Sequence, residues 1–276
     1  MMPRPLLLTL IAALAFSAVA AGCRKPTAPP AQPSADLLWS DEFTGPAGSR
    51  PSPTKWKYEV GGSGWGNNQL EYDTDRTTNA ALDGAGNLVI TARRESFQGR
   101  EYTSARLNTL GLYAQAYGRF EARIRLPIGQ GIWPAFWLLG ANIGQVSWPA
   151  CGEIDVMEYR GQQPNVIVGS VHGPGYSGGA AISRNYTLSS GTFNDGFHVF
   201  SVDWTPSRID WRVDGNLYHS VTPASMTGGR TWVFDHPFSI LLNLAVGGNF
   251  LGNPDATTVF PQSMIVDYVR VYRLPS

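Results

Sequence analysis

Two-residue alternation is the feature that most limits how this chain can fold. In residues 117–126, Arg119, Glu121, Arg123 and Arg125 alternate with Phe120, Ala122, Ile124 and Leu126. Successive side chains of a strand point to opposite faces, so this pattern belongs to a strand with one buried and one wet face. Ile209, Trp211 and Val213 alternate in the same way with Arg208, Asp210 and Arg212, and the Asp214-Gly215 pair that follows is a tight-hairpin signal. Segments 87–92, 166–171, 197–204 and 265–272 read likewise, and no amphipathic helical period stands out beyond the N-terminal apolar run. The 31 glycines and 20 prolines supply the turns that many short strands require. With 43% hydrophobic and 15% charged residues, the chain can bury a large core. About 240 residues of short strands still make one domain, so an all-β sandwich or barrel is expected over residues 37–276.

The N-terminus reads as a targeting segment. Arg4 precedes an apolar run from Leu6 to Val19, which is short for a membrane-spanning helix and suits a signal peptide. Ala20-Ala21-Gly22-Cys23 resembles a bacterial lipoprotein box, so residues 1–22 are expected to be removed and Cys23 lipidated. Ordinary cleavage after Ala20 or Ala21 is the alternative, because the first box position is usually Leu. Residues 23–36, rich in Pro and Ala, then form an extended tether. The expected location is extracytoplasmic, held to the cell envelope through the lipid alone, or secreted if Cys23 is not modified. Cys151 would be the remaining thiol, so no intrachain disulfide can form.

Twenty-one basic residues balance twenty-one acidic ones, which removes the electrostatic case for nucleic acid. Nine Trp, eleven Tyr and twelve Phe suit an uncharged, ring-shaped ligand, although most such rings belong to a core. The chemistry concentrates in residues 153–158, Glu-Ile-Asp-Val-Met-Glu. Its apolar residues are strand formers, yet three acids crowded on one strand repel each other. Parity puts Glu153 and Asp155 on one face and Glu158 on the other. A bulge within Val156-Met157 would return Glu158 to the acidic face. Two carboxyl groups so held suit retaining glycoside hydrolysis, which needs a carboxylate nucleophile and a carboxylic acid roughly 5–5.5 Å apart. Glu153 would attack, Glu158 would protonate the leaving oxygen, and Asp155 would hydrogen-bond the nucleophile. The competing readings are a solvated acidic face or a cation site. Four scattered histidines argue against a His-rich metal site.

Residues 153–158 resemble the active-site signature of glycoside hydrolase family 16 in its longer form, typical of laminarinase-like endo-β-1,3-glucanases. The resemblance runs through Trp39-Ser40-Asp41-Glu42-Phe43, Gly64-Trp65-Gly66-Asn67-Asn68, Tyr102–Arg106, Trp133–Trp137, Val171–Gly173, Phe238–Gly248 and Val266–Tyr272. It implies a jelly-roll sandwich of two curved antiparallel sheets with an open cleft on the concave face. It implies retaining, endo-acting hydrolysis of β-1,3-glucan of the laminarin type, without a cofactor for catalysis, by a monomer. The alternatives are the same chemistry on mixed-linkage β-1,3-1,4-glucan or a marine galactan, and a non-catalytic β-glucan-binding lipoprotein.

The resemblance also suggests substrate contacts. Trp133, Trp137 and Trp148 are candidate platforms for sugar rings, with Trp148 in an apparent loop. Trp133 and Trp137 share a strand face with Ala135 and could equally be core. Arg106 matches an arginine that binds sugar hydroxyls near the cleavage point, and either Asn67 or Asn68 an asparagine facing the non-reducing side. His172 matches a histidine on the leaving-group side. A structural calcium ion is implied away from the chemistry, held by Glu42, the Gly86 carbonyl and Asp267. Cys151 shares parity with Glu153, but no thiol-enzyme motif surrounds it.

Overall fold

The computed structural model describes Met1 and residues 36–275. The signal segment beyond Met1, Cys23 and all of the tether except Asp36 lie outside the described residues.

Short strands open the domain: β1 (Leu37–Asp41), β2 (Lys57–Glu59), β3 (Glu71–Asp73) and β4 (Ala80–Leu82). Then come β5 (Leu88–Phe97), β6 (Arg100–Ser104), β7 (Arg106–Asn108), β8 (Gly118–Arg125) and β9 (Ile132–Gly140). The middle of the chain forms β10 (Glu153–Tyr159), β11 (Val166–His172), β12 (Ile182–Thr187) and β13 (His198–Thr205). β14 (Arg208–Val213), β15 (Asn216–Val221), β16 (Phe238–Val246) and β17 (Gln262–Tyr272) complete it. Among the described residues, helix is limited to single 3-10 turns at Gly178–Ala180 and Pro223–Ser225. The expected hairpin joins β14 to β15, with Asp214 and Gly215 at φ 49° and 82°. Positive φ at both central residues matches the twist of the flanking strands.

The strands build two sheets. Seven strands run β12-β11-β10-β9-β16-β7-β2; the other sheet runs β15-β14-β13-β8-β17-β5-β6-β3, with β1 added against β17 and β4 against β5. All pairings are antiparallel except β3 with β6. The alternation read from the sequence decides what meets between the sheets. Phe120, Ala122 and Ile124 of β8, with Phe200, Val202 and Trp204 of β13, pack with Phe136 and Leu138 of β9 and Ile240, Leu242 and Leu244 of β16 in one apolar core. The charged partners of those residues take the outer face, where Arg119 and Arg212 both bond Asp203.

β16 is buried at every position, because its second face is covered as well. Ala135, Trp137 and Leu241 form one small apolar cluster there, and Trp133, Ala245 and Leu251 another. These clusters floor the opposite face of the seven-stranded sheet, and that face carries the cleft.

Candidate active site

Register across β10 decides where its acids point. Asp155 pairs with Ser170 of β11 and Glu158 with Val168, so three steps along β10 oppose two along β11. On the other side Asp155 pairs with Trp137 and Met157 with Phe136, two steps opposing one. The extra residue is the bulge at Val156-Met157 that the parity argument requires. Glu153, Asp155 and Glu158 consequently line one cavity, while Ile154, Val156 and Met157 are buried in the core. Trp211 of β14 braces the break from behind, its indole N–H donating to the Asp155 carbonyl at 2.7 Å. Gly152, at φ 75°, turns the chain into β10; a Cβ there would meet Phe238 Cζ at 2.8 Å.

The cavity has a volume of about 740 Å³ and crosses the sheet from β7 to β12. Arg106 stands at one end, Trp137 and Trp133 on β9 come next, and His172 and Trp148 flank the acids. Trp133, Ala135 and Trp137 share the cleft face as their spacing predicts. Asn67 lines the cavity. Asn68 takes a left-handed φ of 56° and donates to Asn249 Oδ1 at 2.9 Å, so it is the turn residue of the pair.

Each carboxylate meets an indole. Trp148 Nε1 donates to Glu153 Oε2 at 2.8 Å, and Trp133 Nε1 to Glu158 Oε1 at 3.2 Å. Both Trp148 and Trp133 therefore offer the cleft a ring and the acids a donor. Burial pushes all three carboxyls up. Glu158 rises to about 7, with the Glu153 charge adding to burial and His172 opposing it. Asp155 is raised well above the usual range by burial and then by the Glu158 charge. Asp155 shares a hydrogen bond with Glu153, which opposes that rise and raises Glu153 in turn. Burial, followed by the Asp155 charge, raises Glu153 to about 8. Once Asp155 holds its own proton that second cause is gone. With the shared proton on Asp155, that hydrogen bond and the Trp148 N–H favour an ionised Glu153.

The Gly178 amide donates to His172 Nδ1 at 3.1 Å. An amide can only donate, so the neutral ring carries its proton on Nε2. Nε2 lies 3.0 Å from Asp155 Oδ2 and 3.7 Å from Glu153 Oε1. Glu153, Asp155 and His172 group closely enough for a metal ion, but this tautomer presents a donor there, where a metal needs a lone pair. Cys151 is fully buried and its thiol is pushed up to about 11, chiefly by burial, which leaves no thiolate for chemistry.

Residues 64–269 match the sequence model of glycosyl hydrolases family 16. The chain belongs to that family. A β-glucanase from Rhodothermus marinus is 45% identical over 251 residues, spanning 87% of this chain and 86% of that protein. The solved structure of an endo-β-1,3-glucanase from Pyrococcus furiosus is 50% identical, with a TM-score of 0.82, and covers 87% of this chain and 95% of its own. A laminarinase catalytic domain from Thermotoga maritima is 47% identical, with a TM-score of 0.83, covering 88% and 99%. Such likeness extends to the whole jelly-roll sandwich.

This family-16 cleft also contains residues that sequence reasoning missed. Trp65, Arg160, Asn243 and Phe250 line it. Trp137 Nε1 donates to Asn243 Oδ1 at 2.8 Å, and Arg160 covers the Phe250 ring at 3.7 Å. Arg160, two residues after Glu158, had a readable signal in its parity; Asn243 and Phe250 had none, because Asn243 reaches the cleft through strand pairing and Phe250 through the turn that follows β16. The calcium ligands implied by the family resemblance do not present a free donor set. Arg270 takes both oxygens of Glu42, at 2.9 and 2.8 Å. Asp267 Oδ2 meets Arg123 Nη1 at 2.7 Å, and Gly86 sits in the β4–β5 turn. Calcium wants unshared oxygen ligands, so a cation would first have to displace two guanidinium groups.

Proposed function

We propose that the protein is a retaining endo-β-1,3-glucanase that cuts laminarin-type glucan outside the cytoplasm. The observation that carries this reading is the β10 bulge, which brings Glu158 to the cleft wall that Glu153 and Asp155 already occupy. In the first step Glu153 attacks the anomeric carbon while Glu158 gives its proton to the departing oxygen. In the second, Glu158 takes a proton from water, and the water displaces Glu153 from the same carbon. Two inversions leave the configuration unchanged. The hydroxyl of Asp155 supports the Glu153 anion, and no cofactor takes part. A cleft that runs across the sheet from β7 to β12 suits internal binding of a polymer, and the rings of Trp137, Trp133 and Trp148 suit the flat C–H faces of neutral sugars. Similarity to the Rhodothermus, Pyrococcus and Thermotoga glucanases supports the choice of linkage. The accompanying proposal is a monomer tethered through a lipidated Cys23.

Reducing-end release from laminarin, lichenan, agarose and carrageenan tests the reading. Laminarin is expected to be cut fastest, into mixed oligosaccharides, with the β-anomer appearing first by NMR. Early α-anomer, or activity confined to a galactan, contradicts it. Activity is also expected to fall as pH rises. Glu158 must be protonated and titrates at about 7, so kcat/KM drops about tenfold per pH unit well above that point. Initial rates between pH 5 and 9 check this. The acidic limb belongs to Glu153 and Asp155 together.

A further inference from the structure

Two acids behind the β7 end of the cleft have no part in the proposed hydrolysis. Glu71 and Asp73 share one face of β3 and are both buried. Asp73 Oδ2 accepts the Trp65 indole N–H at 2.8 Å, and Glu71 Oε2 accepts the Val246 amide at 2.8 Å. Asp73 Oδ1 and Glu71 Oε1 have no hydrogen-bond partner. Trp65 lines the cleft from a left-handed turn at φ 50°. The Arg106 guanidinium lies 4.6 Å from the Trp65 ring and 4.7 Å from the Trp137 ring, bridging two cleft-lining indoles. Arg106 also bonds Glu59 on β2 through Nε. The Trp65 side chain is thus fixed at one end by a buried carboxyl and offers its ring to Arg106 and the cleft.

We propose that Asp73 is a positioning residue for glucan binding, holding Trp65, and through it the Arg106–Trp137 stack, in the orientation that receives a sugar. The inference rests on the glucanase reading above. Asp73 touches no substrate, so its contribution belongs in KM and not in the bond-breaking steps. A neutral acceptor would suffice to orient the indole; a carboxyl adds a charge that comes and goes. The groups facing it are Arg106 from β7, Glu59 from β2 and Glu71 on its own strand. Burial raises Asp73 to about 7, against the pull of Arg106. Burial and the Asp73 charge hold Glu71 well above the usual carboxylate range. When Asp73 ionises it becomes a charge-assisted acceptor for the indole N–H and attracts Arg106. The platform therefore firms as pH rises through neutrality, while loss of the Glu158 proton lowers kcat.

Steady-state kinetics on laminarin from pH 6 to pH 8 test this with wild type, Asp73→Leu, Asp73→Asn and Trp65→Phe. Asp73→Leu is expected to raise KM about five- to tenfold, with kcat within about twofold. Trp65→Phe, which keeps a ring and loses the N–H, is expected to raise KM in the same direction. Asp73→Asn keeps an acceptor and loses the titration. Its KM stays near the wild-type value and flat with pH, whereas wild-type KM falls about threefold over the same range. An Asp73→Leu KM equal to wild type, or an Asp73→Asn KM that keeps the wild-type pH slope, overturns the proposal. If Asp73→Leu does not fold, the Asp73→Asn slope decides alone. A wild type that leaves laminarin intact overturns the glucanase reading instead, so the two failures are separable.

Discussion

Glu153→Gln and Glu158→Gln are each expected to lower kcat/KM on laminarin by roughly 10³–10⁴-fold or more while the protein stays folded. Glutamine is isosteric with glutamate and can still accept the indole N–H that Trp148 or Trp133 supplies. It can neither form the glycosyl ester nor deliver a proton. The two losses differ in a way that identifies each role. An aryl glucoside whose leaving group needs no proton restores the first step in Glu158→Gln and does nothing for Glu153→Gln. Stability provides an independent check. Both carboxyls are held above their ordinary range in the fold. Their contribution is fully present below the unfolded pKa, about 4.3, and is lost as pH rises through the folded value. Each Gln variant should therefore gain on wild type in Tm between pH 5 and pH 8, read by thermal melts. Activity within about tenfold of wild type in either variant would remove the assignment.

Substitution of Asp155 is expected to separate charge from hydrogen bonding. Asp155→Ala should lose roughly 10²–10³-fold in kcat, because Glu153 loses the donor that supports its anion. Asp155→Asn should lose only about tenfold, since a carboxamide N–H can donate where the protonated acid does. The ordering is that expected of a buried carboxyl, raised well above the usual range by burial and then by the Glu158 charge, that donates its proton to Glu153. Were Asp155 ionised in the working enzyme, Asn would be as damaging as Ala. Single-turnover rates on laminarin-derived oligosaccharides distinguish the two cases.

Much of this protein is legible along the chain because strand geometry repeats every two residues. The alternation at residues 119–126 and 208–213 places Phe120, Ile124 and Trp211 in the core, as found, and the arginines on the other face, where Arg123 is nonetheless buried against Asp267. Parity also required the Val156-Met157 bulge, since without it Glu158 would be driven into that core. The same rule put Trp133, Ala135 and Trp137 on one face. Residues that act within one strand announce themselves locally.

Contacts between strands do not. Whether Asn67 or Asn68 faces the cleft turned on a single left-handed φ. Asn243 joins the site through register and Phe250 through the turn after β16, both from more than eighty residues beyond β10, and Gly178 sets the His172 tautomer through one amide. The family resemblance named Glu42 and Asp267 as calcium ligands, yet the fold pairs them with Arg270 and Arg123, which no spacing rule connects to them. Asp73 reads in sequence as an ordinary strand acid, and its role appears only where burial and the Trp65 indole meet it. The sequence by itself determined the strands, their faces and the acids. Tertiary structure decided which charges are buried, which protons they keep and which rings they hold, because desolvation and cross-strand pairing arise only when distant segments meet.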